Sequence, residues 1–268
     1  MTNTRILWIH NLSPIHVGCG AGTGAIDLPI IREKTTNWPF IPGSSIKGVL
    51  ADHFGASEPG SREDLAKIAF GKPDSKVAAG QPTAGNSGGL DIGDARLVCF
   101  PMKSSFGTFA WITCPLALQR LARDLKEMGM PAKQVPDVVP PPPEKLHVHD
   151  LNSTALRPPG AGAAPVRAAL GEFDFILEQP ADVAPLRKWA ENLASWLFPA
   201  APQGNNPWRS LFLKRFAMVD DDAFSYFNEH ETEVDPRVRI DPSTGTVMKG
   251  QLWTEESLPP ESILASFV

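Results

Sequence analysis

Apolar and polar residues alternate over residues 4–10, with Ile6, Trp8 and His10 on one side and Arg5, Leu7 and Ile9 on the other, so the chain opens with a strand. A glycine-rich stretch follows, and then the period changes. Ile46, Val49, Leu50 and Phe54 recur at helical spacing and predict a buried face, with Ser44 or Ser45 as the N-cap. Ser61-Arg-Glu-Asp64 reads as the capping box of a second helix that stops at Gly71. Residues 72–89 are rich in Gly, Pro, Ala and Ser and predict a loop. Two strands come next, over 90–100 and 107–114. Pro115 suits the first position of a helix whose buried face is Leu116, Leu118, Leu121, Leu125 and Met128. This β-α-(α)-β-β-α order is most of a split β-α-β-β-α-β unit.

The pattern then lapses. Residues 131–170 are rich in Pro and Ala, contain Pro140-Pro-Pro-Pro143, and predict an extended insertion outside the core. Periodicity returns with a strand over 172–178 and an amphipathic helix over 183–198, carrying Leu186, Trp189, Leu193, Trp196 and Leu197. A further strand is expected near 211–219, and Asp220-Asp-Asp222 opens a short helix. Residues 233–241 and 246–253 form a hairpin joined through Pro242-Ser-Thr-Gly245, with charged and apolar residues alternating. It has little apolar content of its own, so it is expected to project and to need a partner surface.

Composition narrows the class. With 268 residues, 42% hydrophobic and 21% charged, the chain is an ordinary globular protein able to bury a full core. It has neither an apolar run near the ~20 residues of a membrane span nor a signal-peptide pattern at its start, and it reads as cytosolic. The cysteines, Cys19, Cys99 and Cys114, are too few and too scattered for a disulfide framework or a zinc ribbon. The net charge of −5 argues against nucleic acid until its distribution is considered. Residues 219–262 carry −8, which leaves +3 on the rest and permits polyanion binding by the body of the chain.

The chemistry gathers between residues 12 and 54. Gly20-Ala-Gly22-Thr-Gly24-Ala25 is not a dinucleotide fingerprint, because Asp27-Leu-Pro29 interrupts any helix after it. Gly43-Ser-Ser-Ile-Lys47-Gly48 has its glycines and lysine in the wrong order for a phosphate-binding P-loop. His147-Val-His149-Asp150 has metal-ligand residue types, but two histidines in a Pro-flanked stretch are more often a solvated loop. The tryptophans at 189, 196, 208 and 253 are core or interface residues before they are base-stacking platforms. Taken alone, Asp27 reads as the cap of a turn ahead of Pro29, and Lys47 as a solvated lysine of the first helical turn. Lys47 sits where the helix dipole disfavours it, which an anion held by Ser44, Ser45 and nearby N–H groups would offset.

Longer blocks decide between these readings. Leu12-Ser-Pro-Ile-His-Val-Gly18, the glycine loop, Asp27-Leu-Pro-Ile-Ile-Arg-Glu33 and Pro42-Gly-Ser-Ser-Ile-Lys-Gly48 together resemble the backbone-subunit family of the type III-B CRISPR (Cmr) effector complex, in the RAMP superfamily. Gly93-Asp-Ala-Arg-Leu97 through Lys103-Ser104, and Gly107 through Leu116, are similar to that family's central strands. His230-Glu-Thr-Glu-Val234, Arg237-Val-Arg-Ile-Asp241, Thr244-Gly-Thr-Val247 and Leu252-Trp-Thr-Glu-Glu256 are similar to its thumb.

The resemblance implies an α+β fold: one domain over 1–268 with a ferredoxin-like, RNA-recognition-motif-like palm over about 1–130 and 171–220. Long insertions lie at about 72–89 and 131–170, and a projecting β-hairpin thumb at about 229–256. It implies copies of the chain stacked along a crRNA guide with other Cmr subunits. Complementary target RNA is cut at regular intervals by 2′-hydroxyl attack, aided by a divalent metal, Mg or Mn. Asp27 then corresponds to the catalytic acid and metal ligand. His16, Arg32, Ser44, Ser45, Lys47, Lys103, Arg237 and Arg239 correspond to RNA contacts, and Glu231 and Glu233 to the thumb. The alternative is a non-catalytic guide-binding filament subunit. Ala51 stands where a basic residue is expected, and the sequence ends without the glycine-rich C-terminal segment expected of the family, which is either cut off here or replaced by another subunit.

Overall fold

The computed structural model describes residues 4–22, 24–55, 61–71, 87–156, 165–200, 204 and 206–268. They fall into two units, a smaller one from residues 1–7, 40–96 and 265–268 and a larger one from 8–39 and 97–264. Most of the loop predicted over 72–89 lies outside the described residues.

In the smaller unit β2 (Phe40–Ile41) pairs antiparallel with the start of β3 (Ala95–Lys103), and α1 (Gly43–Gly55) and α2 (Ser61–Phe70) follow β2. The first turn of α1 is closed from outside the helix. Gly43 N–H donates to Asp94 Oδ1 at 2.9 Å, and the Pro42 carbonyl accepts from Ser45 and Ile46. The helix therefore begins ahead of the two serines, and neither is its N-cap: Asp94 takes the Gly43 N–H, one of the N–H groups a helix start leaves free. A side chain at Gly43 would meet the Ile92 carbonyl oxygen at 1.9 Å, so only glycine fits. The expected buried face of α1 is only half realised. Ile46 is buried, but Val49 and Phe54 are 70% and 55% exposed, Phe54 packing on Phe70 of α2 instead.

In the larger unit the strands form one mixed sheet in the order β1 (Ile6–His10), β11 (Ile263–Phe267), β3, β4 (Phe109–Thr113), β8 (Phe216–Met218), β5 (Lys145–Val148), β7 (Phe173–Leu177), β6 (Arg167–Leu170). Strands β1, β3 and β11 run on into the smaller unit. The pair β3/β4 is antiparallel, β4/β8 parallel, β8/β5 antiparallel, β5/β7 parallel and β7/β6 antiparallel. The middle strands are buried on both sides: Leu97 to Phe100, Ala110 to Ile112 and all of β8 lie in the core. Helix α3 (Pro115–Glu127) begins at Pro115 as predicted, and Leu118, Leu121 and Leu125 are buried. Helix α4 (Ala184–Leu197) buries Leu186, Trp189 and Leu193. Helix α6 (Asp221–His230) is capped by Asp220, whose side chain accepts from Ala223 N–H at 2.9 Å.

Two expectations are corrected. Residues 211–215 are not strand: they belong to α5 (Pro207–Arg215), started by Asn206 accepting from Trp208 N–H at 3.1 Å with Pro207 next. That cap-and-proline signal outranks the continuous apolar run, and only residues 216–218 are extended. The stretch 131–170 is not outside the core. Within it β5 lies between β8 and β7, with Leu146 and Val148 fully buried, and β6 buries Ala168 and Leu170. Four-residue strands beside a proline run are too short to show a period.

The hairpin of the C-terminal region is made of β9 (Glu233–Ile240) and β10 (Val247–Ser257), in register with Trp253 opposite Arg237 and Ser257 opposite Glu233. Asp241 closes the turn by accepting from the hydroxyl and then the N–H of Ser243, which in that order hold its carboxyl below the usual carboxylate range. By strand alternation Val234, Pro236, Val238 and Ile240 share one face with their partners Glu256, Thr254, Leu252 and Val247. The other face carries Glu233, Asp235, Arg237 and Arg239.

Candidate functional site

The glycine-rich loop does not hang free. Residues 15–19 and 28–31 pair with each other, with Ile31 N–H on the Val17 carbonyl at 2.8 Å, and both arms dock on the end of β10 and the residues after it. Ile15 and Leu258 exchange two backbone hydrogen bonds, at 3.0 and 2.8 Å. Leu28 N–H donates to the Thr254 carbonyl at 3.0 Å, and Glu256 N–H donates to the Leu28 carbonyl at 2.9 Å. The loop that carries Asp27 is thus laid along the root of the hairpin.

Asp27 is exposed, yet its carboxylate is held. Its Oδ2 accepts from the Thr254 N–H at 2.8 Å and from the Thr254 hydroxyl at 3.0 Å, while Asp27 N–H donates back to Thr254 Oγ1 at 2.9 Å. The Thr254 N–H above all, and then its hydroxyl, hold the carboxyl below the usual carboxylate range. Oδ1 has no hydrogen-bond partner among the described residues. An ionised carboxylate with one oxygen tied down and one open to solvent can take a proton or a hard cation at a fixed point.

Two residues further along the same face of β10, Glu256 is buried, 3% exposed. Its Oε2 accepts from Ile30 N–H at 2.9 Å, and its Oε1 accepts from Arg32 at 2.5 Å and from the Thr232 hydroxyl at 2.8 Å. Arg32 also donates to the carbonyls of Asn228 and Asn37. His16 is exposed and donates from Nδ1 to the Glu256 carbonyl at 2.6 Å, since a carbonyl can only accept; its neutral tautomer therefore leaves Nε2 as an acceptor. The ring stands over Gly18, where a Cβ would lie 2.7 Å from Nε2.

Three of the residues singled out from sequence, His16, Asp27 and Arg32, thus come together at the hairpin root. Arg32 is turned inward onto Glu256 and is only 15% exposed. Arg237 and Arg239 lie on the charged face of β9, Arg237 reaching Glu255 at 3.3 Å. Glu231 ends α6, and Glu233 begins β9 with its carboxyl raised by burial and then by Asp235. Lys103 is exposed at the end of β3. Ser44, Ser45 and Lys47 belong to the smaller unit, where both serines are exposed and Lys47 Nζ donates to the Leu90 carbonyl at 2.8 Å. That carbonyl gives the ammonium a partner at the unfavourable end of the helix. His147 and His149 are on or beside β5 in the core sheet, not in a solvated loop. Thr254 and Glu256 went unnominated; the sequence signal was an acid and a hydroxyl on the apolar face of an alternating strand.

The sequence profile of the RAMP superfamily matches residues 8–267. The chain belongs to the RAMP superfamily. Among members of this superfamily, it is 30% identical over 264 residues to the CRISPR system Cmr endoribonuclease Cmr4 of Pyrococcus furiosus, covering 98% of this chain and 80% of that one. A shorter match, 47% over 51 residues, joins it to the Cms endoribonuclease Csm3 of Enterococcus italicus, over 16% of this chain and 24% of that one. The fold is that of the crystal structure of oligomeric Cmr4 from P. furiosus, with a TM-score of 0.64 and 24% identity over 98% of this chain and 79% of that one. It is likewise that of a chain in the type III-B Cmr-beta complex bound to cognate target RNA, with a TM-score of 0.66 and 18% identity over 98% and 82%. The RAMP family expected from the residue blocks is the one found.

Proposed function

We propose that this RAMP chain is the backbone subunit of a type III-B CRISPR effector, stacking in copies along a crRNA guide and cutting complementary target RNA. The relative in P. furiosus is named an endoribonuclease of the Cmr system, and the similar solved chains come from oligomeric Cmr4 and from a complex bound to target RNA. In this reading the larger sheet and its helices serve as a ferredoxin-like palm, the β9–β10 hairpin is the thumb, and the particle works in the cytoplasm. No helix among the described residues is long and apolar enough to cross a membrane.

The observation that carries the reading is Asp27: exposed, held ionised by Thr254, and fixed to the root of the hairpin with Oδ1 open. RNA carries its own nucleophile. The 2′-hydroxyl beside a strained phosphate attacks phosphorus and displaces the 5′-oxygen of the next nucleotide, and the strand distortion imposed by a thumb brings these atoms into line. Asp27 then assists removal of the 2′-hydroxyl proton. Among the described residues no three His, Cys, Asp or Glu side chains converge, so Asp27 would hold a Mg or Mn ion jointly with RNA phosphates, as hard cations of this size are commonly held. Such an ion supplies charge neutralisation at the phosphate. In this reading His16, Lys103, Arg237 and Arg239 are the RNA contacts of the larger unit, and Ser44, Ser45 and Lys47 those of the smaller.

In a reconstituted complex Asp27→Ala abolishes target cleavage while target binding survives. Unchanged cutting at every site would sink the catalytic assignment. The hydrogen bonds to Thr254 also fit a second reading, in which Asp27 is only a staple between loop and hairpin and the chain is a non-catalytic guide-binding subunit. A wild-type complex that binds target without cutting it, with or without divalent metal, is what that reading requires.

A further inference from the structure

Asp27 sits in a loop whose preceding residues, Gly20, Gly22 and Gly24, impose little restriction on the backbone. A reacting carboxylate on such a loop needs an external hold. Among the described residues, every hydrogen bond of the Asp27 N–H and carboxylate goes to one residue, Thr254. The Thr254 hydroxyl acts in both directions, accepting from Asp27 N–H and donating to Oδ2. With the Thr254 N–H on the same oxygen, Oδ2 has two donors and the direction of Oδ1 is set. Glu256, on the same face of β10, fastens Ile30 and Arg32. The strip from Asp27 to Arg32 is therefore tied to β10 at alternate positions.

We propose that Thr254 is a positioning residue for RNA cleavage: its hydroxyl holds the Asp27 carboxylate at the hairpin root with Oδ2 engaged and Oδ1 presented to the substrate. This inference rests on the reading of Asp27 as the catalytic acid. The hold is separable from the docking of the loop. The backbone bonds of Leu28 with Thr254 and Glu256 do not involve the hydroxyl, so a variant lacking only that group keeps the loop in place and leaves Oδ2 on the Thr254 N–H alone, about which the carboxylate can pivot.

Thr254→Val removes the hydroxyl at nearly constant shape, and Thr254→Ser restores it. In the reconstituted ribonucleoprotein, single-turnover cleavage at saturating target falls roughly 10- to 100-fold in Thr254→Val, the scale expected of a small misplacement of a reacting group. Thr254→Ser cuts within a few-fold of wild type. Guide loading, target affinity and melting temperature stay at wild-type values in both. Cleavage at the wild-type rate in Thr254→Val overturns the proposal, and so does equal loss in the valine and serine variants. Asp27→Ala, assayed alongside, separates this result from the reading beneath it. Cleavage that survives Asp27→Ala overturns the catalytic assignment itself, whereas cleavage lost there and kept in Thr254→Val overturns the positioning alone.

Discussion

At the scale of the residue, the ion pair Arg32–Glu256 is where charge and burial meet. Both side chains are withdrawn from water, 15% and 4% exposed, and each has further hydrogen-bond partners that complete the site. Removing one member leaves the other charge buried and alone, a change that costs about 3–5 kcal/mol in such settings. Glu256→Ala is therefore expected to lower stability by that amount in urea denaturation, with Arg32→Ala close to it. The double variant should lose less than the sum of the two, because the uncompensated charge is gone. Additive losses would show that the two side chains act independently. Asp27, His16 and Arg32 were legible because a short motif holds all three. Their partners Thr254 and Glu256 lie more than 200 residues away along the chain, and no local period announces such a contact.

At the scale of the element, strand β5 shows what a proline run can hide. His147 is 2% exposed, and burial is the main cause of the lowered pKa of both His147 and His149. Glu178 and the Val139 backbone partly oppose the shift at His147; Glu191 and Asp150 oppose it at His149, where Arg187 adds to it. Nδ1 of each is buried without a partner among the described residues. The folded state thus favours neutral rings, and the unfolded chain takes up protons first as pH falls through the ordinary histidine value of 6.5. Stability is full above that pH and declines below it. Urea midpoints measured from pH 7.5 to 5.5 should fall in the wild type and fall less in His147→Gln/His149→Gln. Parallel curves would remove the histidines from the account. Helix α1 offers the opposite kind of test. Alanine is favoured over glycine inside a helix by about 1 kcal/mol, yet at position 43 its Cβ would stand 1.9 Å from the Ile92 carbonyl oxygen. Gly43→Ala is expected to destabilise, by 1–3 kcal/mol on the scale of overpacked sites, and a higher melting temperature would show that the backbone yields there. The elements with long periods, α3, α4 and the hairpin, were legible from sequence. The short strands β5 and β6 were not, since four residues are too few to show a period, and β8 was legible only as the end of a longer expected strand.

At the scale of the whole molecule, the α+β class could be read from the order of elements, but the strand order could not, because pairings such as β4 with β8 and β5 with β7 join distant residues. Charge was legible as a distribution: acids concentrated over residues 219–262 and a mildly basic remainder. If that remainder binds the guide through phosphates, assembly must weaken as salt rises, by about 0.7 in log–log slope for each phosphate neutralised on a single strand. Lys47 separates this role from a structural one. Its ammonium holds the Leu90 carbonyl near the N-terminal end of α1, where a positive charge is disfavoured and a negative one welcome. Lys47→Glu loses the carbonyl contact but gains from the dipole, so its melting temperature should lie within a few degrees of wild type. Guide-bound particles formed from it should come apart at lower salt, and the slope per subunit should shrink by about one phosphate contact. A particle with unchanged size and slope would reduce Lys47 to a clip on the Leu90 carbonyl. Guide binding would then fall to the exposed serines beside it and to the basic residues of the larger unit.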